Sequence, residues 1–170
     1  VDSHRLRLQG WDIKPFALLL SSFAEALFLD ADAVLFQPPT SFFAHERFAA
    51  TGALFFHDRH TFWGKPAWGA WLRAVLPDIS ARAAAAPVFC GRASNHMDSG
   101  AIAVDKARAL GGLLMACVLN APPIRAEVHR HTHGDKETFW LGFEMASVPY
   151  AFHAGLAAHV GRSPSATGAE

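Results

Sequence analysis

The chain has 170 residues, of which 51% are hydrophobic and 18% are charged, a balance that fits one well-buried globular domain and argues against disorder. Its 15 basic and 15 acidic side chains cancel and form no basic stripe, which argues against nucleic acid as a partner. No apolar stretch is unbroken over the length that a membrane span needs, and no signal-peptide pattern opens the chain.

Helices and short strands alternate along the predicted chain. Apolar residues at helical spacing predict a helix within 10–26, which leads into an apolar run at 27–39 that predicts a buried strand ended by two prolines. Further strands are predicted at 51–57, 97–106 and 148–153, further helices at 62–76, 106–120 and from 134 onward, an ambiguous segment at 77–91, and a polar loop at 129–133. This order predicts an α/β fold with an at least partly parallel sheet, in which ligands gather at strand ends.

Two carboxylates, Asp30 and Asp32, lie inside the apolar run. Residues two apart on a strand point to the same side, so both carboxylates can face one ligand. A buried carboxylate is costly unless it is paired or bound to a cation, and oxygen ligands suit Mg²⁺ or Mn²⁺. The run therefore predicts a divalent metal site, whereas in the alternative interpretation both acids cap the strand and face solvent.

Two classes of enzyme use such a pair of aspartates. In a phosphohydrolase of the haloacid dehalogenase type the first aspartate attacks phosphorus and the second acts as acid and base, but the other residues that this chemistry needs are not convincingly present. In a glycosyltransferase the pair holds a cation against the diphosphate of a nucleotide sugar, which requires no nucleophile on the strand. A third alternative is a folded remnant that no longer binds a donor.

Six motifs in a fixed order favour the glycosyltransferase. They run from Gly10 to Pro15, from Leu20 to Phe23, from Leu29 to Asp32, from Thr51 to Phe56, from Met97 to Gly100 and from Gly134 to Gly142. Together they resemble the motifs of the fungal alpha-mannosyltransferases of glycosyltransferase family 71, over about residues 10–150. The resemblance implies a GT-A-like fold with a mixed, mostly parallel sheet flanked by helices, a Mn²⁺ or Mg²⁺ cofactor, GDP-mannose as donor, and retaining transfer to a mannose-containing glycan.

The same resemblance implies a secretory-pathway protein of the Golgi, held by an N-terminal membrane anchor that this chain does not include. The chain opens at Val1 without a methionine and reaches the aspartate motif early. We therefore expect residues 1–160 to form an incomplete catalytic domain that lacks the opening nucleotide-binding strand. The segment 161–170 is rich in Gly, Ser and Ala and is expected to be a disordered tail.

The resemblance also implies roles for single residues. Asp30 and Asp32 correspond to the metal motif. Lys14, ahead of that motif, corresponds to a phosphate or ribose contact, with a solvated lysine as the alternative. Asp98, together with Ser99 and Gly100, corresponds to the start of a strand that faces the hydroxyls of the donor sugar, with a turn or cap residue as the alternative for Asp98.

Asp135 and Glu137 lie in the first turn of a predicted helix, where the helix dipole favours acids in any case. The resembling motif places this turn beside the reacting sugar, so one of the two acids is expected to contact the sugar or the acceptor. His153 or His159 is the candidate third metal ligand.

Other polar and aromatic clusters carry weaker signals. The alternating histidines at 129, 131 and 133 have no cysteine or carboxylate that would complete a zinc set, which favours a solvated loop. Trp63, Trp68 and Trp71 either stack on acceptor sugars or, as aromatic residues at helical spacing more often do, belong to the core.

Overall fold

The computed structural model describes residues 7–59, 66–76, 78–158 and 160. A 3₁₀ turn at Gly10–Asp12 leads into the first helix. The helices are α1 Ile13–Leu20, α2 Thr40–Phe43, α3 Glu46–Thr51, α4 Pro66–Val75, α5 Ala81–Ala84, α6 Lys106–Leu119, α7 Ile124–His131 and α8 Lys136–Met145. The strands are β1 Glu25–Leu29, β2 Ala53–His57, β3 Met97–Asp105 and β4 Ala151–Leu156.

The four strands form one sheet in the order β1-β3-β2-β4. β3 runs antiparallel to both β1 and β2, whereas β2 and β4 are parallel. The α/β class and the mixed sheet are confirmed, but the expectation of a mostly parallel sheet is wrong for the described strands. The alternation of helices and strands does not determine the direction of each strand, because the long connection between β2 and β3 allows β3 to run parallel or antiparallel to β2.

The core lies where α6 and α8 pack together and where α8 packs on β3. Nearly all of α8 is buried, including Phe139, Trp140 and Phe143. The two helices approach so closely that a Cβ atom added at Gly142 would lie 2.7 Å from the backbone nitrogen of Ala116. This contact fixes the position of the α8 N-terminus relative to the sheet.

Both ends of α1 are tied to the layer beside it. Arg125 pairs with Asp12 just before α1, and Lys106 donates to the backbone oxygen of Ser21 just after it. α1 also packs against α6. These contacts hold Lys14, in the first turn of α1, over the end of the sheet.

The strand predicted at 27–39 is wrong beyond Leu29. The chain turns there, with the backbone N–H of Ala33 donating to the oxygen of Asp30 at 3.0 Å. Val34 and Phe36, which the apolar pattern predicted to be buried, are 61% and 83% exposed. The turn preference of the two aspartates outweighs the strand preference of the residues around them.

The loop predicted at 129–133 is also wrong in its first part, because α7 continues to His131. Arg130 and His131 both reach Glu127 on the helix surface, and Val128 is buried beneath. Such pairs three and four residues apart stabilise a helix in a segment that is polar in sequence.

The remaining predictions concern tryptophans, the tail and membrane spans. Trp68 is buried, and Trp71 packs against the core and stacks on the ring of His131 at 4.6 Å. Trp63, His159 and the tail at 161–170 lie outside the described residues. Among the helices described, none alone is long and apolar enough to cross a membrane; α6 and α7 together are, but they are bent by 91°.

Candidate functional site

A cavity of about 150 Å³ opens where β1 ends, β3 begins and α8 starts. Its walls are Trp11, Lys14, Asp30, Asp98, Ser99, Gly100, His133, Asp135 and Lys136. Six of these residues are candidates from the sequence, contributed by α1, the end of β1, the start of β3 and the start of α8. The sheet edge therefore brings together candidates as far apart in the sequence as Lys14 and Asp135.

Gly100 forms the floor between two carboxylates. The backbone N–H of Asp30 donates to the Gly100 oxygen at 2.9 Å, and the Gly100 N–H donates to Oδ1 of Asp98 at 2.7 Å. A Cβ atom at Gly100 would lie 2.9 Å from that Oδ1 and 3.9 Å from Oδ2 of Asp30. Both carboxylates thus face the space that the missing side chain leaves open.

Lys14 is an ion-pair partner and not a solvated lysine. Its side chain is only 8% exposed, and its ammonium nitrogen lies 2.8 Å from each carboxylate oxygen of Asp30. The ammonium also donates to the hydroxyl of Ser99 at 3.2 Å and lies over the ring of Phe28. Lys14 therefore neutralises Asp30 directly.

Asp135 is buried in the wall of the cavity, with 2% of its surface exposed. It occupies the N-cap position of α8 but makes no side-chain capping hydrogen bond, and its Oδ2 atom has no hydrogen-bond partner within the described structure. Burial raises the pKa of Asp135 to about 6, against the opposing effects of the Lys14 charge and a hydrogen bond from Ser99. The Asp135 carboxylate therefore keeps an unpaired acceptor in the buried wall of the cavity.

Glu137 points elsewhere, although it lies only two residues further on. It is fully buried, and its carboxylate accepts hydrogen bonds from the backbone N–H of His96 at 2.8 Å and the indole N–H of Trp140 at 2.5 Å. Burial raises the pKa of Glu137 to about 7. Residues two apart on a helix point about 200° apart. For this reason Asp135 faces the cavity, whereas Glu137 ties α8 to β3.

The structure does not bring Asp32 and His153 into this cavity. Asp32 is exposed in the turn after β1 and is not one of the wall residues. His153 lies on β4, where its ring stacks on Phe56 at 5.2 Å and faces His45 at 5.4 Å. No group of three or more His, Cys, Asp or Glu side chains in the described ranges is arranged to hold a metal. The expected set of Asp30, Asp32 and His153 is therefore not assembled.

Sequence reasoning missed several residues around the cavity. Lys136 projects into it and pairs at 2.6 Å with Asp58, which is buried just after β2. Trp11 and His133 form a rim, with their rings 5.7 Å apart. Asp58 carried a usable signal, because it directly follows the strand predicted at 51–57. Trp11 lies in the motif from Gly10 to Pro15, but nothing in the sequence marked its ring or that of His133 as part of a site.

The fold and the cavity define an α/β protein with a ligand site at the strand ends, lined by carboxylates and a buried lysine. A family model described as "Mannosyltransferase putative" matches residues 1–67 and 75–168, which include every wall residue. The chain belongs to this fungal alpha-mannosyltransferase family, as the resemblance of its motifs indicated.

Individual relatives agree. The chain is 32% identical over 163 residues to "Putative alpha-1,3-mannosyltransferase MNN14" of Candida albicans, covering 88% of this chain and 23% of the relative. It is 28% identical over 184 residues to "Probable alpha-1,3-mannosyltransferase MNT4" of Saccharomyces cerevisiae, covering 95% and 31%. It is 31% identical over 162 residues to "Alpha-1,3-mannosyltransferase MNT3" of the same yeast, covering 81% and 25%. The chain thus spans less than a third of the length of these relatives.

Proposed function

We propose that this chain carries the donor-side part of a metal-dependent glycosyltransferase, which moves mannose from GDP-mannose to a mannose-containing glycan with retention of configuration. Membership of a mannosyltransferase family supports the reaction class. The observation that carries the proposal is the convergence of Asp30, Asp98, Asp135 and Lys14 around the open floor at Gly100.

A hard divalent cation, Mn²⁺ or Mg²⁺, fits the donor atoms at this edge. Asp30 and Asp98 offer carboxylate oxygens in the cavity wall, whereas Asp32 lies outside it in the adjoining turn. Such cations are often held by one or two carboxylates, with substrate phosphates and water completing the shell, so a preformed group of three ligands is not required. When bound, the cation would neutralise the departing diphosphate. His153 is not part of this proposal.

The protein's own groups would orient the sugar. Gly100 lets a ligand approach the backbone closely, and the Asp98 carboxylate beside it is positioned to accept hydrogen bonds from sugar hydroxyls. The Asp135 carboxylate in the same wall would accept a further hydrogen bond from a hydroxyl of the sugar or of the acceptor. Retaining transfer proceeds either through a short-lived ion pair or through a covalent carboxylate intermediate, and we propose Asp135 as the carboxylate that would assist either route.

In the cell we propose a role in glycosylation within the secretory pathway, with the Golgi as the site. The support is the kinship with the fungal alpha-1,3-mannosyltransferases.

Thermal unfolding with Mn²⁺ and GDP, compared with Mn²⁺ and UDP and with Mn²⁺ alone, tests the donor site. A ligand at a hundred times its dissociation constant adds about 2.7 kcal/mol, which raises the unfolding midpoint by roughly 5 to 10 °C. We expect a GDP-selective shift that needs Mn²⁺ and is lost in Asp98→Ala, which removes a carboxylate from the cavity wall. Asp78→Ala is the matched control. Asp78 is an exposed aspartate that lines a separate groove and not the cavity, so this variant should keep the shift.

A transfer assay separates the alternatives. Transfer of mannose from GDP-mannose to an α-linked mannobiose is measured, and the anomeric configuration of the new linkage is determined by NMR. A new α linkage supports retaining transfer. Turnover of an aryl phosphate that depends on Asp30 would instead support the phosphohydrolase. Neither nucleotide binding nor turnover would identify a folded remnant and overturn the proposal.

A further inference from the structure

Lys14 forms an ion pair with Asp30, the carboxylate of the cavity to which a metal ion would bind. The Lys14 ammonium lies 2.8 Å from both oxygens of Asp30, so it occupies the face of the carboxylate at which a divalent cation would bind. An ammonium and a divalent cation on one carboxylate repel each other strongly at such short separations. The two cations are therefore competitors for Asp30.

The charges of the cavity walls are unequal. Asp30, Asp98 and Asp135 contribute three carboxylates, whereas Lys14 and Lys136 contribute two ammonium groups. The Lys136 ammonium is engaged with Asp58 at 2.6 Å. Lys14 is thus the cation that balances the carboxylates facing the cavity, and a second position for its ammonium exists close by.

That second position is Asp135. Its Oδ2 atom is buried without a hydrogen-bond partner in the described structure, which is unfavourable for a carboxylate. Ser99 lies in the same wall as both groups, and its hydroxyl accepts a hydrogen bond from the Lys14 ammonium at 3.2 Å. The Lys14 charge also acts on Asp135, since it lowers the pKa of that carboxyl against the effect of burial. The flexible four-carbon stem of a lysine allows a short displacement of its ammonium.

We propose that Lys14 is a displaceable counter-ion: it neutralises Asp30 when no metal is bound, and a divalent cation at Asp30 shifts its ammonium toward the buried, unpaired oxygen of Asp135. The inference rests on the proposed metal dependence. It assigns Lys14 a positioning role in place of the phosphate or ribose contact expected from the sequence, and it links metal binding at Asp30 to the charge beside the sugar at Asp135.

Mn²⁺ binding to the full chain, measured from the EPR signal of free Mn²⁺, tests this inference without any turnover. Lys14→Met keeps the apolar stem and removes the competing charge, and we expect it to bind Mn²⁺ about tenfold more tightly than the wild type. Lys136→Met is the matched control, because it removes the same charge from the same cavity but from a group paired with Asp58. We expect it to change the affinity less than about threefold. Thermal unfolding of each variant verifies that it is folded.

Asp135→Asn tests the second position. In the wild-type background we expect Mn²⁺ to bind about fivefold more weakly, because the displaced ammonium loses its new partner, and in the Lys14→Met background we expect no change. Mn²⁺ binding to Lys14→Met that is equal to or weaker than that of the wild type would show that Lys14 only orients Asp30. Equal gains in affinity in Lys14→Met and Lys136→Met would show a general effect of charge. Either result overturns this inference but leaves the proposed metal dependence intact. Absence of Mn²⁺ binding in the wild type would overturn the proposed metal dependence and this inference with it.

Discussion

The backbone N–H of His96 donates a hydrogen bond of 2.8 Å to the carboxylate of Glu137. This bond joins the start of α8 to the residue just before β3, and the cavity residues Asp98 to Gly100 follow immediately. Glu137 therefore acts on the site by fixing its framework, even though its carboxylate does not line the cavity.

Replacement of Glu137 by alanine should strongly destabilise the fold. The change leaves the His96 N–H and the Trp140 indole N–H without acceptors in the interior and creates a cavity, which together cost about 3 to 5 kcal/mol. The midpoint of urea unfolding measures the loss. Glu127→Ala, on the exposed surface of α7, should stay within about 0.5 kcal/mol of the wild type. A similar small effect at Glu137 would contradict the framework role.

The stability of the wild type should fall with rising pH relative to Glu137→Gln. Burial raises the pKa of Glu137 from 4.5 to about 7, so the folded state favours the neutral acid. That contribution is fully present below pH 4.5 and is lost as the pH rises through about 7. From about pH 5 to pH 8 we expect the wild type to lose about 2 to 3 kcal/mol more than the variant in urea unfolding. Parallel pH profiles would contradict the expectation.

Two adjacent glycines of α6 should respond to alanine with opposite signs. A Cβ atom at Gly112 would lie 2.3 Å from Cδ2 of Phe143, so Gly112→Ala should destabilise the fold by about 1 to 3 kcal/mol. The exposed Gly111 has its nearest such contact at 3.3 Å, with a methyl group of Val148. Gly111→Ala should be neutral or stabilising by up to about 1 kcal/mol, because alanine favours helix. Thermal unfolding of both variants measures the contrast, and equal effects would refute it.

Gly100→Ala should impair ligand binding more than folding. The added methyl group would lie 2.9 Å from Oδ1 of Asp98 and would fill the space between the two carboxylates. We expect the thermal shift with Mn²⁺ and GDP to disappear, with a loss of less than about 2 kcal/mol of intrinsic stability. Ala101→Ser, one residue further along β3, is the control. An undiminished thermal shift with Mn²⁺ and GDP in Gly100→Ala would show that Gly100 does not contribute to ligand binding.

The rate of mannosyl transfer should rise as the pH passes about 6. Burial raises the pKa of Asp135 to about 6, and the ionised carboxylate is the form that accepts hydrogen bonds at both oxygens. The pH profile of kcat/KM measures this step. Asp135→Asn should lack it and should lower kcat/KM at neutral pH by about a hundredfold. The same step in Asp135→Asn would assign the titration to another group.

The sequence alone supplied most of the residues of the site. Asp30 stood out within an apolar run, and the resemblance of the motifs implied Lys14, Asp98, Ser99, Gly100 and Asp135; the structure gathers these six around one cavity but not the further candidates Asp32, Glu137 and His153. The α/β class and the family followed from the same ordered motifs, since local patterns of apolar and turn residues persist in the chain wherever it folds.

Only the tertiary structure decided what each group does. The strand period predicted that Asp30 and Asp32 share a face, but β1 ends at Leu29 and the turn separates them. Spacing did not distinguish Asp135 from Glu137; the packing of α8 against β3 directs one carboxylate to the cavity and the other to backbone N–H groups. Lys14 could be paired with Asp30 only once α1 was placed against the sheet, because contacts between distant segments depend on packing that no local pattern encodes.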